Sequence, residues 1–60
     1  MDHIVRITPA NGGGESVFLF ESKEKAMQKM KESEEWNKDF PEQKCKAVLE
    51  YNGKVIKEIE

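Results

Sequence analysis

The chain is short of most of the residues that carry chemistry: one cysteine, one histidine and one tryptophan in 60 residues, and no long apolar run. Each shortage excludes a class of function. With Cys45 alone, no internal disulfide can form, and neither a paired-cysteine redox centre nor a cysteine zinc site can be assembled. Cys45 reads instead as a small apolar strand residue. His3 stands beside Asp2 at an end that is expected to fray, without the second acid–base group or the convergent ligands that catalysis or a metal would require. No cofactor is expected. Gly12-Gly13-Gly14 is followed by Glu15, Ser16 and a strand pattern. A phosphate loop needs Gly-Lys-Ser/Thr opening into a helix, so the glycines read as the tip of a hairpin.

Charge of one sign is lacking too. Ten Lys and Arg against twelve Asp and Glu leave a net charge of -2, which offers nothing to a phosphate backbone and is too weak to imitate one. Met1-Asp2-His3-Ile4 has no basic segment leading into an apolar run, so cytoplasmic residence is expected and a membrane partner is not. Hydrophobic and charged residues each make up 37% of the chain, the balance of a soluble globular domain. A chain of this length buries only about 60% of its unfolded surface, so a single thin-cored domain over residues 1–60 is expected, one that oligomerisation would help.

What is present is a clear alternation of patterns. His3-Ile4-Val5-Arg6-Ile7-Thr8 is rich in β-branched residues and stops at Pro9, which cannot donate to a ladder. After the flexible Asn11–Glu15 connection, Val17-Phe18-Leu19-Phe20 restarts an extended run, and the two segments read as a hairpin. From Ser22, a plausible N-cap, to about Asp39 the period becomes helical, with Ala26, Met27, Met30 and Phe40 on one side, Ser33 between them and Trp36 at the margin; Pro41 ends it. Lys44 to Glu60 alternates again, and Asn52-Gly53, where both positions tolerate positive φ, predicts a second hairpin through a type I′ turn. Such a turn pairs Tyr51 with Lys54 and Leu49 with Ile56, leaving Val48, Val55 and Ile59 on the face opposite Leu49. A one-residue slip would carry Val55 and Ile59 to the Leu49 face instead.

The order strand, strand, helix, strand, strand predicts an α+β domain of two layers, ββαββ, with one helix on a four-stranded antiparallel or mixed sheet. In element order over the whole chain, this plan resembles the small immunoglobulin-binding bacterial domains. No sequence motif is shared, so no binding residue is carried over.

One helix can shelter one face of such a sheet, yet the second strand is apolar on both, with Phe18 and Phe20 pointing one way and Val17 and Leu19 the other. Ile4, Val17, Leu19, Val48, Val55 and Ile59 are therefore expected to form an open apolar face, and such faces mark contacts with other molecules. The competing reading is that lysine and arginine stems lie over scattered valines on a solvated face. On the helix, Lys23, Lys25, Lys29 and Lys31 crowd the first half and Glu32, Glu34, Glu35 and Asp39 the second, against the helix dipole. That layout reads either as a solvated face or as a bipolar stripe orienting a partner, with Trp36 as its anchor.

With little volume for a pocket, an enzyme is not expected. Three functions fit: a small non-enzymatic protein-protein interaction module of adaptor or inhibitor type; a single-stranded nucleic-acid binder using Arg6, Lys44, Lys46 and Lys57 with Phe18 or Phe20 as stacking platforms; and a structural protein that pairs with itself as a homodimer. Net acidity counts against the second. The first is preferred.

Overall fold

A computed structural model describes residues 2–59, so Met1 and Glu60 of the expected domain lie outside the described residues. The elements are β1 (His3–Pro9), β2 (Ser16–Phe20), α1 (Lys23–Asp39), a 3₁₀ turn at Pro41–Gln43, β3 (Cys45–Tyr51) and β4 (Lys54–Ile59). The four strands form one sheet in the order β2-β1-β3-β4, antiparallel at every pairing, with α1 across one face. The expected ββαββ architecture is the observed one.

Local chemistry sets the boundaries. Pro9 closes β1, the Gly12 amide turns back to the Pro9 carbonyl at 3.3 Å, and the Asn11 side chain accepts from the Gly13 amide at 3.1 Å. Ser22 occupies the N-cap in an extended conformation (φ -105°, ψ 132°), yet its side chain makes no capping bond. Before Pro41 the α conformation is disfavoured, so Phe40 leaves the helix at φ -128° while its amide still donates to the Trp36 carbonyl. Phe40 is consequently exposed, contrary to its expected place on the buried stripe.

The core is thin. Val5, Ala26, Met30, Ala47 and Leu49 are fully enclosed, and Ile7, Phe18, Phe20, Met27 and Ile59 pack around them. The helix row through Ala26, Met30 and Ser33 continues to Asn37, which is buried at 8% exposure. Its side chain acts as a strand partner: Nδ2 donates to the Cys45 carbonyl and Oδ1 accepts from the Cys45 amide, both at 2.8 Å. Cys45 pairs with Pro9 on one side and has no β4 partner among the described residues, so Asn37 satisfies backbone groups that the sheet leaves open. Ser33 bonds back to the Lys29 carbonyl at 3.2 Å, which makes its burial tolerable.

The second hairpin corrects the register. Asn52 and Gly53 both have positive φ (54° and 78°), as a type I′ turn requires, and Tyr51 pairs with Lys54 and Glu50 with Val55. Leu49 then pairs with Lys57, not Ile56, because a bulge at Val55 and Ile56 inserts one residue into β4. Beyond it the faces invert: Ile59 lies opposite Ala47 and packs against the core beneath α1. Ile59 is therefore not part of the open face, since the bulge lets it bury its side chain while Val55 remains outside.

Candidate functional site

Because Val5 pairs with Phe18 and with Leu49 in the core, side-chain alternation places Ile4 and Arg6 with their partners on the opposite face. Two cross-strand rows result: Leu19, Ile4, Glu50, Val55 and Val17, Arg6, Val48, Glu58. The structure thus brings together five of the expected residues, Ile4, Val17, Leu19, Val48 and Val55, and exposes the two edge strands most. Leu19 is 62% exposed, Val55 57% and Val17 49%. Ile56, which alternation assigned inward, is exposed at the bulge as well.

The face is not uniformly apolar. On the central strands Arg6 and Glu50 occupy one diagonal of a quartet and Ile4 and Val48 the other. Arg6 Nε donates to Glu50 Oε2 at 2.5 Å and Nη1 lies 3.3 Å from Glu15 Oε1, while Lys46 Nζ lies 3.3 Å from Glu58 Oε1. The hydrogen bond and charge of Glu50, and less strongly those of Glu15, hold the Arg6 guanidinium above its ordinary pKa. A raised pKa on a cation contributes stability that is complete below the ordinary value and lost only as pH rises through the folded one. Arg6 therefore stays charged throughout the neutral range. An apolar stripe runs diagonally from Val17 and Leu19 through Ile4 and Val48 to Val55, crossed at its centre by the Arg6–Glu50 pair, with Glu15 and the Lys46–Glu58 pair to the sides. Sequence reasoning missed the central ion pair, because Arg6 and Glu50 stand on β1 and β3, whose adjacency no hairpin signal announces.

Trp36 is not brought to this face. It stands on α1 at 42% exposure, its Nε1 donating to the Gln43 carbonyl at 2.8 Å and its ring tilted against Phe40 with centroids 4.3 Å apart. With Ile7, Lys29, Glu32, Ser33 and Cys45 it lines an open cleft of about 220 Å³ between helix and sheet. Trp36 thus belongs to a separate surface, its indole oriented by its hydrogen bond to Gln43.

Phe18 and Phe20 point beneath α1, so they share no face with Arg6 and Lys46 and form no stacking platform there. His3 also departs from expectation. It is only 8% exposed, stacks on Tyr51 at 4.2 Å, and its Nδ1 has no hydrogen-bond partner among the described residues. Among those residues no helix is long and apolar enough to cross a membrane. No protein-family model, curated protein or solved structure matches this chain significantly. The geometry alone carries the functional argument.

Proposed function

We propose that this domain is a non-enzymatic interaction module that binds another protein through the open face of its sheet. The observation that carries the reading is the exposed apolar stripe, with Leu19, Val55 and Val17 each about half exposed or more on the face that α1 leaves bare. A partner covering the stripe removes apolar area from water at about 25 cal/mol per Å², while the Arg6, Glu15 and Glu50 cluster fixes orientation and on-rate.

Nucleic acid as partner loses its stacking residues, since Phe18 and Phe20 lie on the helix side. Affinity capture from lysate of the native host tests the preferred reading. The wild type is expected to recover a partner that a Val17→Thr, Leu19→Thr, Val48→Thr variant does not. Equal recovery by both overturns it. Sedimentation equilibrium of the purified domain separates this reading from self-assembly, which requires no other molecule.

A further inference from the structure

The two outer strands of the sheet differ in how they treat their free edges. β4 is interrupted by the bulge at Val55 and Ile56 and carries Lys54, Lys57 and Glu58, devices that deter the pairing of a further strand. β2 has neither. Its register with β1 is unbroken from Ser16 to Phe20, and no charged residue stands between Glu15 and Glu21. Its unpaired backbone groups form a template for strand addition, a recurring mode of peptide recognition.

The side chains beside that edge specify what can be added. On the open face they are Val17 and Leu19, both exposed. On the helix side Lys29 Nζ sits 4.4 Å from the centroid of the Phe18 ring, and Lys25 lines a cleft with Leu19, Phe20, Glu21 and Ser22. A second copy of the chain fits badly. A two-fold antiparallel pairing centred on Phe18, the register that overlaps all of β2, sets Phe18 against Phe18 and so brings Lys29 towards its own counterpart. It also sets each Glu15 opposite a Glu21. Like charges directly opposite one another destabilise a pair of strands.

We propose that the free edge of β2 accepts an extended segment of a different protein as a fifth strand, and that this segment alternates apolar residues with acidic ones. The apolar side chains lie beside Val17 and Leu19; the acidic ones lie under Lys25 and Lys29. The inference rests on the interaction-module reading and names the form and chemistry of the partner.

Selection of short random peptides displayed against the purified domain tests it, followed by amide hydrogen exchange of the complex. The expected result is enrichment of alternating apolar and acidic peptides that slow exchange of amides within residues 16–20. A Lys25→Glu, Lys29→Glu variant is then expected to bind those peptides about tenfold or more weakly, a change worth roughly 1.4 kcal/mol. Should that variant fail to fold, Lys25→Gln with Lys29→Gln carries the same comparison. Peptides that lack the alternation, or that shift Ile4, Val48 and Val55 without protecting residues 16–20, overturn the edge inference and leave the sheet-face reading standing. Failure to enrich any peptide also overturns it, and the capture experiment above then decides the sheet-face reading independently.

Discussion

Val5 and Ile4 are neighbours on β1 and equally suited to a strand, yet Val5 is wholly enclosed beneath α1 while Ile4 keeps part of its surface on the open side. The same division runs along the whole sheet. Under the helix, Val5, Phe18, Leu49 and Ala47 meet Ala26 and Met30 in one enclosed cluster, with the buried polar groups His3, Ser33 and Asn37 at its margins. On the other side Ile4, Val48 and Val55 share the surface with Arg6, Glu50 and Glu58, so charged groups interrupt the apolar ones. The lesson is that apolar content alone does not say which face folds the chain. Continuity does. The covered face holds the fold together, and the broken one is the face that we propose meets a partner.

That contrast can be broken from either side. The largest effect is expected from Met30→Ala, which empties a fully buried position and costs about 2 to 5 kcal/mol. A chain of this size has total stability of the same order, so circular dichroism should show loss of the cooperative transition. Asn37→Ala should cost about 2 kcal/mol in a denaturant titration, because the amide and carbonyl of Cys45 lose their partners at a part-buried position. A loss below half of that would show water replacing the side chain. His3→Phe keeps the stack on Tyr51 and removes the unpartnered Nδ1, so it should raise the unfolding free energy by up to about 1 kcal/mol, read as a higher denaturant midpoint. Smaller still is deletion of Ile56, which takes out the bulge while leaving Val55, Lys57 and Ile59 on their present faces. We expect stability within about 1 kcal/mol of the parent, together with new concentration-dependent association in sedimentation as β4 loses its protected edge.

Much of this was legible in the chain. Element order followed from periodicity, the second turn from Asn52-Gly53, and the division of β2 into Val17 with Leu19 and Phe18 with Phe20 from alternation, although only the packing of the phenylalanines under α1 shows which pair faces outward. Three things were not. The bulge at Val55 and Ile56 answers to burial of Ile59 under the helix, a tertiary preference that the local alternation of β4 does not encode. Asn37 looks polar and so reads as solvent-facing, although its spacing from Ala26, Met30 and Ser33 places it on the buried row; its value lies in backbone groups that only the folded sheet brings near. Trp36 was expected to anchor a partner on the charged stripe of the helix, and periodicity does not show that its Nε1 donates to the Gln43 carbonyl while its ring lies against Phe40.

The account stands on Val17 and Leu19 being dispensable for folding, and a denaturant titration of the Val17→Thr, Leu19→Thr double variant beside the wild type measures that directly. The expected result is a cooperative transition displaced by no more than about 0.5 kcal/mol per site. A loss comparable to that of Met30→Ala would contradict it, since the open face would then be holding the domain together.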